Sequence, residues 1–262
     1  MSPVIASLFR HPVKGLTPEP LTEARLEAGR YFPNDRRWAV EAGPSGFDPD
    51  RPGHISKQKF TVLARFPSLA RLKTRYEDES HMLHIADASG FGIQARLDTQ
   101  DGRSALARFL QAYLSGEATG EFRVFDGNEA PTEKGMGHRF TDHPQGFVSL
   151  INLASVRALG WAIGAEVDPL RFRANVYVDG LPPWAEDGWA VGTKLKVGEA
   201  ELTLFKPIVR CVATHVNLET GERDMDTVGL LRRHFGRDTL GNYVSVTRGG
   251  RIAPGSEIAV QS

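Results

Sequence analysis

Between residues 71 and 97 the chain reads as strand, turn, strand, turn, strand. The segment His81-Met-Leu-His-Ile-Ala runs into the turn residues Asp-Ala-Ser-Gly. Phe91, Ile93, Ala95 and Leu97 then alternate with other residues, the period of two that marks a half-buried strand. The period changes soon after. In SALARFLQAYL, Leu106, Phe109, Leu110, Tyr113 and Leu114 fall at i, i+3, i+4, i+7 and i+8, which predicts a helix over 104–114 with one apolar face. Gly116 is its expected C-cap. Phe147 to Ile151 is a short apolar run and predicts a buried strand. Asn152 follows as N-cap of a helix through Val156 and Leu159, which Gly160 weakens.

The last third predicts strands at 175–178, 193–197, 200–205, 209–216, 243–246 and 257–260, with a basic helix at 227–235. Short strands separated by turn residues favour barrels or sandwiches over a doubly wound sheet. The expected class is therefore mostly β with a few helices (α+β). The stretch 126–145 has no period and is a candidate linker.

Composition narrows this picture. A chain of 262 residues fits one large domain or two small ones. Its 27 glycines and 16 prolines exceed the ~12% average share of the pair, which agrees with many turns. The 32 basic and 32 acidic side chains balance, which argues against bulk electrostatic binding to nucleic acid or an anionic membrane. No stretch reaches the ~18 apolar residues of a membrane helix, and no long apolar run precedes Arg10 and His11. The expected location is cytoplasmic.

Cys211 is the single cysteine, so neither an intrachain disulfide nor a four-cysteine iron–sulfur cluster can form. Its spacing alone favours a small side chain buried on a strand, because free cysteine packs like an apolar residue. Arg210 and Lys206 lie beside it in sequence, and cations close in space favour the thiolate, which binds soft metals or attacks electrophiles. His215, four residues on, would share a strand face with Cys211, as a proton donor or as a structural histidine. Short basic groups occur at Lys14, at Arg36 and Arg37, at Lys57 and Lys59, and at Arg171 and Arg173. Separately they read as solvated surface charge; gathered at one pocket they would bind phosphate. Asn175 either meets a heterocycle edge or caps a turn. His138 and His143 lack a metal-ligand context, and there is no GxGxxG, Walker, GxSxG or HExxH motif.

Several of these segments, in this order, resemble the MOSC family (molybdenum cofactor sulfurase C-terminal domain) together with its N-terminal β-barrel domain. The likeness begins at Leu8-Phe-Arg-His-Pro-Val-Lys-Gly and continues through Asp35-Arg-Arg-Trp-Ala-Val and Ile55-Ser-Lys-Gln. Arg171-Phe-Arg-Ala-Asn-Val and Ala185-Glu-Asp-Gly-Trp follow, and the Arg-Cys-x-x-Thr-x-Val-x-x-x-Thr-Gly run at 210–221 closes it. Within the family the pattern is similar to the mitochondrial amidoxime-reducing component and its bacterial counterparts.

The resemblance implies an N-terminal β-barrel-like domain over 1–98 and a β-barrel MOSC domain over 99–262, with 126–145 as linker. It implies a molybdenum cofactor of the pyranopterin type, with Cys211 as the metal-ligating and catalytic thiolate. Lys14, Arg36, Lys57, Arg173, Asn175 and Arg210 would bind the cofactor. Four rim positions depart from the family: Gly15 stands where relatives carry a hydroxyl, Gln145 and Gly146 replace a Thr-Ser pair, and His215 replaces a threonine. Past it, Asn217 and Leu218 stand where an aspartate is expected. The implied activity is an oxidoreductase that reduces N-hydroxylated or N-oxygenated small molecules by oxygen-atom transfer. A separate electron-donor protein is then needed, since the chain has neither ferredoxin cysteines nor a flavin fingerprint. The alternatives are a non-catalytic cofactor carrier or sensor, a sulfur carrier with a persulfide on Cys211, and a β-rich module for another anion.

Overall fold

Strand β1 (Val4–Arg10) buries Ile5 and Leu8, which are three residues apart. A bulge between Ile5 and Ser7 inserts the extra residue, so both side chains reach the same interior despite the period of two. Strands β2 (Glu19–Leu21), β3 (Ala24–Leu26) and β4 (Trp38–Ala42) follow. The computed structural model describes residues 2–129, 137–143, 145 and 148–261.

The alternating stretch forms an antiparallel meander of β5 (Lys73–Tyr76), β6 (Met82–Ala86) and β7 (Gly92–Arg96), with Leu83 opposite both Tyr76 and Ala95. Helix α1 (Gln100–Tyr113) begins four residues before the predicted start at 104. Thr99 caps it by accepting from the Gly102 amide, and Gly102 is needed there because a Cβ would lie 1.9 Å from the Arg96 carbonyl oxygen. Leu114, rather than Gly116, closes the helix. Strand β8 (Phe122–Asp126) returns to pair with β4. Trp38, Leu63, Leu69, Leu72, Leu83, Leu97, Leu106 and Leu110 form one core between these pieces.

Strand β9 (Val148–Asn152) and helix α2 (Leu153–Ile163) are joined at Asn152, whose side chain accepts from the Ala154 amide as expected of an N-cap. The helix runs through Gly160 and stops at Gly164. It is the crossover to β10 (Val176–Asp179), which pairs with β9 in parallel. Strands β11 (Lys194–Val197) and β12 (Ala200–Val209), helix α3 (Thr227–Phe235), and strands β13 (Thr239–Arg248), β14 (Gly250–Ile252) and β15 (Ile258–Gln261) complete the chain. Helix α3 has the limits the sequence predicts.

Eight strands form one sheet in the order β15-β11-β12-β13-β9-β10-β1-β2. The sheet curls back on itself: the Ile5 amide donates to Ser256 O (2.9 Å) and the Ile258 amide to Pro3 O (2.8 Å). Ile5, Leu8, Leu150, Val176, Leu195, Leu202 and Val244 fill its interior. β3 pairs with β14 beside it. The protein is thus mostly β with three helices among the described residues.

Three expectations about the chain's organisation change. A division at 98 and 99 would cut the β4–β8 ladder, and β1 to β3 lie with the C-terminal strands rather than beside β4. The stretch 209–216 is not a strand. β12 ends at Val209, and Val212–His215 form a 3-10 turn. The described part of 126–145 is also no free linker, because Phe140 is buried and its amide donates to Arg36 O at 2.9 Å. Phe147 and Gly146 lie outside the described residues, as do 130–136 and 144.

Candidate cofactor cleft

Five segments distant in sequence meet at one cleft of about 290 Å³. Lys14 comes from the turn after β1, held by its amide bond to Trp38 O (2.8 Å). Arg36 comes from the turn before β4, and Lys57 from the short 3-10 helix Lys57–Lys59. Arg171 and Arg173 come from the turn Pro169–Phe172 and its cap, and Arg210 and Cys211 from the end of β12. Thr141, Asp142 and His143, Ser149 of β9 and Tyr243 of β13 also line it.

The lining is unbalanced in charge. Lys14, Arg36, Lys57, Arg171, Arg173, Lys206 and Arg210 face one carboxylate, Asp142, among the described residues. Asp142 accepts from Lys14 Nζ at 2.7 Å and from Lys57 Nζ at 3.0 Å. Burial would raise its carboxyl, but the two ammonium groups hold it well below the usual range. Lys14 also donates to Phe140 O at 2.7 Å, and burial pushes its ammonium down. The Lys57 ammonium donates to Cys211 Sγ at 3.2 Å. Burial acts against that charge, yet Asp142 and the sulfur raise it.

The arginines are less well compensated. Arg210 spends its guanidinium on backbone oxygens, Phe172 O at 2.9 Å and Leu240 O at 2.8 Å. Arg173 Nη1 is buried with no hydrogen-bond partner among the described residues. Burial lowers both guanidinium groups to about 10, and for Arg173 the neighbouring Arg36 adds to it. Arg36 and Arg173 both adopt left-handed backbone angles, φ 50° and 52°. They are tied together, since Arg36 Nη2 donates to Arg173 O at 3.1 Å. The Arg36 guanidinium also pairs with Asp35, a buried carboxylate that accepts from the His11 amide at 2.7 Å. His11 is held neutral by burial and by Arg173 and Arg36, which lower it to about 3. Strained conformations and desolvated charge of this kind collect at binding sites.

Of the residues singled out in the sequence, Lys14, Arg36, Lys57, Arg173, Arg210 and Cys211 line this cleft and Asn175 does not. The Asn175 side chain is fully buried: Oδ1 accepts from Ser149 Oγ (2.9 Å) and Nδ2 donates to Phe9 O (3.2 Å). It ties β10 to β9 and β1 and holds Ser149, rather than facing a ligand. Arg37 is also elsewhere, in a bidentate pair with Asp126 at 2.8 and 2.7 Å, and Lys59 is exposed away from the lining. His215 does not share a strand face with Cys211. On the 3-10 turn it swings to Asp226, Nε2 to Oδ1 3.1 Å.

The rim glycine has a backbone cause. Gly15 sits at φ 87°, and a Cβ there would lie 2.0 Å from Thr61 O. Gly15→Ser, which would restore the hydroxyl of relatives, is expected to cost about 2 kcal/mol or more through left-handed strain and the clash. A fall in melting temperature of at least about 5 °C checks this; an unchanged melting temperature would show that the turn relaxes freely. Asp142 and Tyr243 escaped the sequence reading. Asp142 lies in an aperiodic stretch, and nothing local links it to lysines 85 and 128 positions away.

The chain matches two family models in order: the MOSC N-terminal beta barrel domain over residues 2–125 and the MOSC domain over residues 137–259. It is similar to the molybdenum cofactor sulfurase of Caenorhabditis elegans, 36% identical over 259 aligned positions covering 94% of this chain and 34% of that protein. The molybdenum cofactor sulfurase of Caenorhabditis briggsae is 26% identical over 276 positions, 99% of this chain and 35% of its own length. The chain thus spans about a third of the length of these curated relatives. Among solved structures it is similar to the YUAD protein from Bacillus subtilis, with TM-score 0.49 and 14% identity over 100% of this chain and 97% of that one. No helix among the described residues is long and apolar enough to cross a membrane. With both domain models matched in sequence order across nearly its whole length, the chain belongs to the MOSC family and is related to the molybdenum cofactor sulfurases.

Proposed function

We propose that the cleft binds a pyranopterin molybdenum cofactor and that the protein is an oxidoreductase acting on N-hydroxylated or N-oxygenated small molecules. The observation that carries this reading is the uncompensated cation set beside a single thiol. Burying Arg173 and Arg210 without carboxylates is costly unless a ligand supplies negative charge. The orphaned Arg173 Nη1 marks where a donor still lacks an acceptor. A phosphate-bearing, sulfur-rich cofactor fits that donor set: phosphate suits the arginines and a soft metal suits the thiolate.

In this reading Arg36, Arg173 and Arg210 hold the anionic part and Lys14 neutralises it. Cys211 ligates the metal. The cofactor supplies oxygen-atom transfer, which removes oxygen from an N–O group and needs two electrons. The chain's own residues bind, orient and neutralise. Among the described residues no group of three His, Cys, Asp or Glu could hold a metal by itself, so the thiol is the protein's metal-binding group in this proposal. The electrons would come from a separate electron-donor protein, and a cytoplasmic location belongs to the same proposal.

The test is expression in cofactor-producing cells followed by molybdenum analysis. The wild type should hold close to one molybdenum per chain, and Cys211→Ala should retain about tenfold less, with the same melting temperature in the cofactor-free forms. Cys211 is part-exposed on an irregular segment, so its removal leaves the cores untouched. Low and equal molybdenum in both forms would overturn the reading.

The relatives' name favours a second reading, in which Cys211 carries sulfur as a persulfide for another protein. Mass spectrometry separates the two: a Cys211 persulfide without bound molybdenum selects the carrier. Stoichiometric cofactor without reduction of any N-hydroxylated compound selects a carrier or sensor of the cofactor itself.

A further inference from the structure

Lys57 stands apart from the other cations of the cleft. The guanidinium groups of Arg36 and Arg210 are engaged with carboxylate or backbone oxygens and Arg173 Nη1 has no partner among the described residues, whereas the Lys57 ammonium reaches the sulfur itself, 3.2 Å from Cys211 Sγ. It is held there on its other side by Asp142 Oδ2 at 3.0 Å, and that carboxylate is fixed in turn by Lys14 at 2.7 Å. A flexible four-carbon stem rarely keeps one geometry unless both ends are fixed. Ser56 caps the 3-10 turn at the root of this stem, and Asp142 fixes its tip.

We propose that Lys57 is a hydrogen-bond donor to the Cys211 sulfur rather than a contact for the cofactor's anion, that Asp142 holds it there, and that this bond raises the reduction potential of the site. The inference rests on the cofactor reading above for its potential, and on the geometry alone for the bond. A donor on a ligating sulfur withdraws electron density from it, so the metal gives up less readily the electrons it has received. The same bond is present in the cofactor-free chain, where the reactivity of the sulfur reads it.

The experiment compares wild type, Lys57→Met, Lys57→Arg and Lys206→Met. Lys206→Met removes a cleft cation without touching the sulfur. In molybdenum-loaded protein, a redox titration read by electron paramagnetic resonance gives the midpoint potential. Lys57→Met should load molybdenum like the wild type and titrate at a lower potential. Lys57→Arg should return towards the wild-type value, and Lys206→Met should move it less. In cofactor-free protein, the rate of iodoacetamide capture is read by mass, with Cys211 as the single thiol. That rate should fall about fivefold in Lys57→Met, the factor expected from one hydrogen bond of ~1 kcal/mol.

An unshifted potential in loaded Lys57→Met overturns the proposal. So does an equal shift in Lys206→Met, which would make the effect one of charge alone. Loss of molybdenum from Lys57→Met, with the residual loaded fraction at the wild-type potential, also overturns it and makes Lys57 an anion contact. Wild type without molybdenum overturns the cofactor reading and the potential shift together. An unchanged capture rate then overturns the sulfur bond as well, while a fivefold fall restored by Lys57→Arg sustains it.

Discussion

Arg173→Met is expected to raise the melting temperature of the cofactor-free protein by about 5 °C or more while abolishing molybdenum retention. The cause is the state of the guanidinium. Burial, with Arg36 close by, lowers it from 12.5 to about 10, so keeping it charged inside the fold costs on the order of 3 kcal/mol. Its Nη1 makes no hydrogen bond among the described residues to offset that cost. Methionine keeps much of the stem, removes the charge and relieves Arg36 of one like-charged neighbour. The sign reverses once an anion is bound. Ligand binding stabilises the wild type by mass action and does nothing for a variant that cannot bind. Thermal melts of both forms, without cofactor and after loading, check this. A cofactor-free variant that melts lower than the wild type, or one that still holds a full complement of molybdenum, would sink the argument.

The neighbouring change goes the other way. Asp35→Ala should destabilise the protein by about 3–5 kcal/mol, lowering the melting temperature by roughly 10 °C. Asp35 is buried and answers three donors: the His11 amide, His11 Nδ1 and the Arg36 guanidinium. Alanine leaves Arg36 and the His11 amide without that acceptor, and Arg36 holds its left-handed backbone partly through the same turn. Burial would raise the carboxyl, but Arg36 and His11 hold it far below the usual range. A depressed carboxyl stabilises the fold fully above its unfolded value near pH ~4 and loses that contribution as the pH falls further. The gap between wild type and Asp35→Ala should therefore narrow in acid. Urea unfolding at neutral and at acid pH reads it, and a change below about 1 kcal/mol at neutral pH would contradict the assignment. Because both side chains bear on Arg36, Asp35→Ala and Arg173→Met should not add: removing Arg173 relieves part of the repulsion that Asp35→Ala exposes.

Arg173 and Asp35 also show why this site keeps a stability cost. A cleft that must receive an anion has to hold cations with too few partners until the anion arrives. The left-handed Arg36 and Arg173 belong to the same account. Both backbones are held by hydrogen bonds, the Arg36 amide to His11 O at 2.7 Å in another segment and the Arg173 amide to Leu170 O at 3.0 Å within its own turn.

The local elements were legible in the chain where a period was strong. Leu106, Phe109 and Leu110 announce α1, the 91–97 alternation announces β7, and α3 has the limits its sequence predicts. The ordered segments around Lys14, Arg36, Lys57, Arg173 and Cys211 announce the MOSC family, because backbone turns and charged side chains at fixed places in the chain leave a readable pattern. Local pattern failed at 209–216. Cys-Val-Ala-Thr-His-Val reads as strand, yet the sheet partner of β12 at its far end stops with Thr239 opposite Val209, and without a ladder the chain turns into a 3-10 helix. Only the fold decided that β1 and β2 join the C-terminal sheet and β3 pairs with β14, that Asn175 turns its amide to Ser149 and Phe9, and that Asp142 holds two lysines and through one of them reaches the sulfur. Those side-chain contacts join residues 26 to 166 positions apart. A period of two or 3.6 records which face of an element is buried, but carries no record of which distant side chain meets it there.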